Sequence, residues 1–269
     1  MKVVCRDVTY HVEVAGQGEP LLLLHGFTGN VDTWSFLVPM LRESYQLIMV
    51  DIIGHGQTDS PKEVRAYEME QAAADLVSIL EKLEVSTAHV LGYSMGGRLA
   101  LSLAMLYPHY VRSLLLESAS PGLETERERL ERRKQDQQLA ERIVADGIEA
   151  FVEAWENIAL FQSQKRLPNE QKLAIRKQRL ANSPLGLANS LLGMGTGSQP
   201  SWWNELEKLD MPVLLITGEL DSKFCKIANR MQNRLKHGEW TIINDVGHAI
   251  HVEDGEKFGK IIREFLLKH

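Results

Sequence analysis

"VLGYSMGGRLALSLA", residues 90–104, sets Ser94 among three glycines, with an apolar run before it and helical spacing after it. The core of the stretch, "GYSMG" at 92–96, fits G-x-S-x-G in the strand–turn–helix context that gives this motif meaning. A serine on so sharp a turn takes a strained backbone conformation, and small neighbours let strand and helix cross closely. The turn predicts an exposed hydroxyl at a helix N-terminus, where backbone N–H groups favour nearby negative charge. The bland alternative is a glycine-rich turn with an incidental serine; the apolar lead-in and helical exit weigh against it.

Outward from this turn, further apolar runs end in polar or glycine residues: "PLLLLHG" (20–26), "YQLIMVD" (45–51), "RSLLLES" (112–118), "PVLLITGELD" (212–221) and "WTIIND" (240–245). Continuous apolarity predicts strands buried on both faces, as in a parallel sheet. Helical spacing recurs between them at 67–83, 95–108, 222–236 and 256–268, which predicts an α/β sheet flanked by helices. The opening "MKVVCRDVTYHVEV" alternates like a strand and lacks the apolar stretch of a signal peptide.

The alternation stops after Ser118 and resumes near Met211. Residues 122–207 read as helices, with "PSWWNELEKL" (200–209) as the last. They are expected to form a helical lid over the C-terminal edge of the sheet, where open α/β folds bind ligands. The core is then 1–121 and 208–269. "GMGTG" (193–197) follows a helical stretch and lacks dinucleotide spacing, so it is a poor phosphate loop.

A serine needs a base, and the base needs an orienting acid. Asp221 lies just beyond one buried strand and His248 just beyond the last, both at the sheet edge that carries Ser94. His251 is a second candidate, but "GH" directly after a strand favours His248. Oxyanion donors are expected from the amides of Met95, next to the serine, and Phe27, in the "LLLLHGFTGN" loop. "DIIGHGQTDSP" (51–61) reads as a wall-shaping loop; His25, His55 and His248 lack metal-ligand spacing.

Composition narrows the class. Of 269 residues, 44% are apolar and 25% charged, which suits one large globular domain with an insertion. No apolar run reaches the roughly 20 residues of a membrane span, so a cytoplasmic protein is expected. The net charge of −6 speaks against nucleic acid as partner. Cys5 and Cys225, the two cysteines, make neither a metal motif nor a disulfide framework.

In order, "HGFTGN", "DIIGHGQTDSP", "GYSMGGRLAL", "GELDSKF" and "GHAIHVED" span nearly the whole chain, and the chain resembles the α/β-hydrolase superfamily. Arg98 in "GYSMGGR", the "GELDSKF" loop and "RRKQDQQLAERI" make it most similar to the 2-succinyl-6-hydroxy-2,4-cyclohexadiene-1-carboxylate synthases of menaquinone biosynthesis. The resemblance implies elimination rather than hydrolysis: a ring carbon of a small anionic polycarboxylate loses a proton and pyruvate leaves from an enolpyruvyl ether. Ser94 would be the base, activated by His248 and Asp221.

Carboxylate recognition calls for arginine. Arg98 lies one helical turn beyond Ser94 and on the same face. The resemblance adds Arg132, with Arg133 as alternate, and Arg179 as clamps, and Tyr93 and Trp155 as pocket walls; exposed helix faces or core packing are the alternatives. No metal or organic cofactor is expected, since serine, histidine and backbone donors suffice for either mechanism, and the sequence leaves the oligomeric state open, a monomer included. Two other readings keep the same fold: a carboxylesterase or carbon–carbon bond hydrolase with Ser94 as nucleophile, and a non-catalytic binding protein.

Overall fold

The inner strands are built from the apolar runs, and each feeds both faces of the sheet. Leu22 and Leu24 point into one core with residues of the helices that follow β-strands on that side, whereas Leu21 and Leu23 point into another core with Trp34, Leu37 and Phe258. Side chains alternate along a strand, so a run buried on both faces must be apolar at every position. The computed structural model describes residues 1–269. Its strands are β1 (Lys2–Cys5), β2 (Val8–Ala15), β3 (Glu19–Leu24), β4 (Tyr45–Val50), β5 (Ala88–Tyr93), β6 (Val111–Glu117), β7 (Val213–Gly218) and β8 (Gly238–Ile243). They form one sheet in the order β1-β2-β4-β3-β5-β6-β7-β8, parallel from β4 to β8.

The opening segment differs from the single strand its alternation suggests. It is a hairpin: β1 and β2 pair antiparallel, with Cys5 opposite Val8 and Arg6 at a positive φ of 54° in the turn. A two-residue turn preserves the period of 2, so the alternation runs through the reversal without a break.

The helices on the sheet are the short α1 (Val38–Leu41), then α2 (Met69–Lys82) and α3 (Met95–Leu106). Between β6 and β7 come α4 (Glu126–Trp155), α5 (Asn169–Leu180) and α6 (Pro184–Met194). The remaining helices are α7 (Ser222–Gln232), α8 (Ile250–Glu253) and α9 (Gly255–Leu266). Thr125 and Glu128 close a reciprocal capping box at the start of α4, and Gly147 breaks that helix at φ 83°, ψ 175°. A small core of its own, including Ile143, Phe151, Val152 and Leu187, joins α4 to α6. Phe27 packs against both this core and the main one, which links the helical insertion to the strand loops below.

The helix expected at 200–209 does not form. Only Leu206–Lys208 makes a 3-10 turn. Long-range contacts take over the preceding residues: Trp202 donates its backbone N–H to the Pro121 carbonyl (2.8 Å) and its Nε1–H to Ser102 Oγ (2.9 Å), while Trp203 Nε1–H binds the Gly122 carbonyl (2.9 Å). Tertiary bonds of this kind override a weak local preference. No helix is long and apolar enough to cross a membrane.

Candidate active site

β5 runs straight into Ser94, whose backbone sits at φ 50°, ψ −105°. This conformation is rare for a residue with a side chain and persists only where the surroundings enforce it. The Glu117 carbonyl accepts the Ser94 N–H at 2.8 Å, and the Ser94 carbonyl accepts the Arg98 N–H at 3.0 Å, which starts α3. A Cβ on Gly96 would collide with the carbonyl oxygens of Leu24 and His25, so only glycine lets the helix start pass so close to β3.

His248 and Asp221 reach Ser94 from the ends of β8 and β7. His248 Nε2 lies 3.0 Å from Ser94 Oγ, and His248 Nδ1 lies 2.6 Å from Asp221 Oδ2. A carboxylate only accepts, so Nδ1 carries the proton and Nε2 presents its lone pair to the serine hydroxyl. The other Asp221 oxygen accepts the Phe224 N–H at 3.2 Å and caps α7, which fixes the carboxylate. Phe224 lies against the imidazole at 4.6 Å between ring centroids. His251 is committed elsewhere: its Nδ1 binds both oxygens of the buried Glu117 at 2.9 Å.

A cavity of about 200 Å³ opens over Ser94, walled by Phe27, Tyr93, Met95, Trp155, Phe161 and His248. Met95 is the first residue of α3, where a helix leaves its N–H without an intrahelical partner. Phe27 is held in place by aromatic edges on Trp155 (5.4 Å) and His55 (5.7 Å). His25 Nε2 accepts the Ile52 N–H at 2.9 Å, tying the Phe27 loop to the "DIIGH" loop. Burial pulls His25 down to about 4, and burial with His25 nearby pulls His55 down to about 3, so both rings are neutral. Burial also pushes the Tyr93 phenol well above its ordinary value.

The four arginines fall in different places. Arg98 and Arg132 line the cavity. Arg98 Nη1 donates to the Met194 carbonyl at 2.7 Å and to Gln199 Oε1, and Arg98 pairs with no carboxylate. Desolvation pulls it down to about 9, which leaves it a cation at neutral pH. Arg132 Nε is bound to Asp136 Oδ1 at 2.8 Å. Arg133 turns to the Gly197 carbonyl and Glu126 and is not part of the cavity wall. Arg179 is not on that wall either: it lies behind Phe161, 4.8 Å from the ring centre, and lines two adjoining cavities, one of them walled also by Phe27 and Tyr93.

Residues 19–255 match the α/β-hydrolase fold family. A Bacillus subtilis (strain 168) protein with the provisional name 2-succinyl-6-hydroxy-2,4-cyclohexadiene-1-carboxylate synthase is 50% identical over 92% of this chain and 90% of its own length. The structure of MenH from S. aureus superposes with a TM-score of 0.92 at 37% identity, covering 96% of this chain and 98% of that one. The chain belongs to the α/β-hydrolase family, on its 2-succinyl-6-hydroxy-2,4-cyclohexadiene-1-carboxylate synthase branch. A thermophilic esterase from Thermogutta terrifontis also superposes, with a TM-score of 0.90 at 26% identity over 100% and 98% of the two chains.

For this hydrolase-family chain, sequence reading overlooked several groups around the cavity. Phe161 and Phe224 face it, although Phe224 stood in the quoted "GELDSKF". Ser118, at a positive φ of 48°, lines it with a buried hydroxyl that has no partner. "GMGTG" contributes Gly195 and Thr196 to the wall. Cys225 bonds through its thiol to the Gly218 carbonyl at 3.2 Å and stays outside the cavity.

Proposed function

We propose that the protein is a carbon–oxygen lyase of menaquinone biosynthesis. It converts 2-succinyl-5-enolpyruvyl-6-hydroxy-3-cyclohexene-1-carboxylate into 2-succinyl-6-hydroxy-2,4-cyclohexadiene-1-carboxylate and pyruvate. The observation that carries this reading is Arg98: a guanidinium with no carboxylate partner faces the same cavity as Ser94. An unpaired enclosed cation is costly unless a ligand supplies the counter-charge. Arg132 adds a second guanidinium for a substrate with three carboxylates.

In this reading His248, oriented by Asp221, draws the proton from Ser94 as the serine oxygen takes one from the ring carbon beside the succinyl carbonyl. The Phe27 and Met95 amides stabilise charge developing on that carbonyl oxygen. The electron pair shifts through the ring, the ring carbon–oxygen bond breaks, and the leaving enolate takes the proton held by His248 to become pyruvate, which returns the imidazole to its neutral form. Tyr93 and Trp155 supply flat walls for the ring, and Arg179 backs the Phe161 wall. Residues 122–207 serve as the lid, and the protein works in the cytoplasm without metal or organic cofactor. Purified protein should release pyruvate from the enolpyruvyl substrate far above an enzyme-free control, and Ser94→Ala should abolish the excess. Release at the uncatalysed rate by the wild type would remove the assignment.

The likeness to the Thermogutta esterase supports a second reading, in which Ser94 attacks an ester carbonyl and forms an acyl-enzyme. Rapid turnover of neutral aryl esters, unchanged by Arg98→Ala, would favour it.

A further inference from the structure

Arg98 and Arg132 face one cavity but are held by opposite kinds of acceptor. Arg132 leans on a carboxylate: Asp136 is 3% exposed and accepts its Nε–H. Arg98 leans on two neutral oxygens, the Met194 carbonyl and the side-chain amide of Gln199. Both of those bonds use Nη1.

Gln199 is built in firmly. It is 1% exposed, its backbone N–H binds the Gly195 carbonyl at 3.0 Å, and its Nε2 donates to the Pro200 carbonyl at 3.3 Å. That second bond sets the amide so that its oxygen faces the guanidinium; the flipped amide would set two donors against each other. A carboxylate of the same shape could hold Arg98 equally well, but it would cancel the charge.

We propose that Gln199 is a positioning residue that fixes Arg98 toward the cavity through a neutral acceptor, so that no carboxylate is bound to Arg98 and its positive charge is left for a substrate carboxylate. This rests on the anionic-substrate reading and names the group that preserves the cation. Asp136 is hydrogen-bonded and ion-paired to Arg132 but acts on Arg98 only through space, so Arg132 offers less net charge. Of the two guanidiniums Arg98 is therefore the stronger anchor, beside Lys223 on the same cavity wall, and Gln199 tunes the preference for an anionic over a neutral ligand.

Two near-isosteric variants separate charge from position. Gln199→Glu keeps the acceptor and neutralises Arg98; Gln199→Met keeps the charge and removes the acceptor. The probe is benzene-1,2,4-tricarboxylate, measured by calorimetry, with thermal midpoints as a folding control. Wild type should bind it. Gln199→Glu should weaken binding by about tenfold or more, approaching Arg98→Ala, and flatten the salt dependence to that of Arg98→Ala. Gln199→Met should lose about threefold and keep the wild-type salt dependence. Equal binding by Gln199→Glu and wild type, a larger loss in Gln199→Met than in Gln199→Glu, or no binding by wild type would each overturn the proposal. If Gln199→Glu does not fold, Gln199→Met decides: a loss matching Arg98→Ala overturns the proposal, and retained affinity with the wild-type salt slope supports it. Pyruvate release is assayed separately, so failure of the lyase reading shows there while the binding comparison still judges Gln199.

Discussion

Ser94 Oγ and His248 Nε2, 154 positions apart in the chain, stand 3.0 Å from each other. The separation is closed by two strand ends on one sheet edge, and the third partner, Asp221, is locked twice: by the imidazole and by the first turn of α7. That double use gives a clean test. Asp221→Asn keeps an oxygen for the Phe224 N–H, yet its amide cannot both do so and accept from His248 Nδ1 without losing the tautomer. Pyruvate release should fall by about 10²–10⁴-fold with the thermal midpoint nearly unchanged. Asp221→Ala should lose the activity and, in addition, about 1 kcal/mol of stability from the missing cap. Activity in Asp221→Asn close to wild type would show that the imidazole needs no orienting acid.

Arg98 is the sharper test of substrate charge. Its Nη1 is spent on Met194 and Gln199, which leaves Nε and Nη2 without a protein acceptor. A lysine has a single nitrogen on a longer aliphatic stem and cannot satisfy both protein acceptors and a carboxylate in one plane. Arg98→Lys should raise KM by about tenfold or more while kcat falls less. Steady-state pyruvate assays at fixed ionic strength check this, and an unchanged KM would contradict it.

The parallel strands were readable because burial on both faces forces unbroken apolar runs such as Leu21–Leu24, and Ser94 stood out because the crossing at its turn admits only glycine at 92 and 96. What sequence reading missed depended on contacts between distant residues. The β1–β2 reversal left no trace in the alternation, and residues 200–209 lost their helix to bonds with Pro121, Ser102 and Gly122. The arginines of the helical insertion carry the same weakness. "RRK" and "RKQR" look alike in charge, but only the turn of the helix decides that Arg132 faces the cavity, Arg133 faces Gly197 and Arg179 sits behind Phe161. Gln199 gave no signal at all: its role exists only through Arg98, 101 positions away.

The elbow itself makes a prediction about stability. The atoms that a Gly96 Cβ would meet are backbone carbonyls of Leu24 and His25, which cannot swing aside as a side chain could. Gly96→Ala should therefore push α3 off β3, at a cost of about 1–3 kcal/mol, and also shift Ser94 away from His248. A fall in thermal midpoint together with loss of pyruvate release is expected; a variant as stable and active as wild type would show that the crossing has slack.

The buried histidines beside the oxyanion loop make stability depend on acid. In the unfolded chain His25 and His55 titrate near the usual value of about 6.5. In the native state burial holds them down to about 4 and about 3. Above pH 6.5 both are neutral in either state and the stability is whole. Below it the unfolded chain takes up protons that the native protein refuses, so stability falls with pH through the window from 6.5 to 4. Each histidine contributes about 1.4 kcal/mol per pH unit in that window, or roughly 2 kcal/mol each at pH 5. Urea unfolding at pH 7.5 and pH 5 measures the difference, and His55→Gln should halve the share that comes from this pair. An equal acid sensitivity in His55→Gln and wild type would mean that the native protein admits a proton at His55, and that the wall behind Phe27 is open to water.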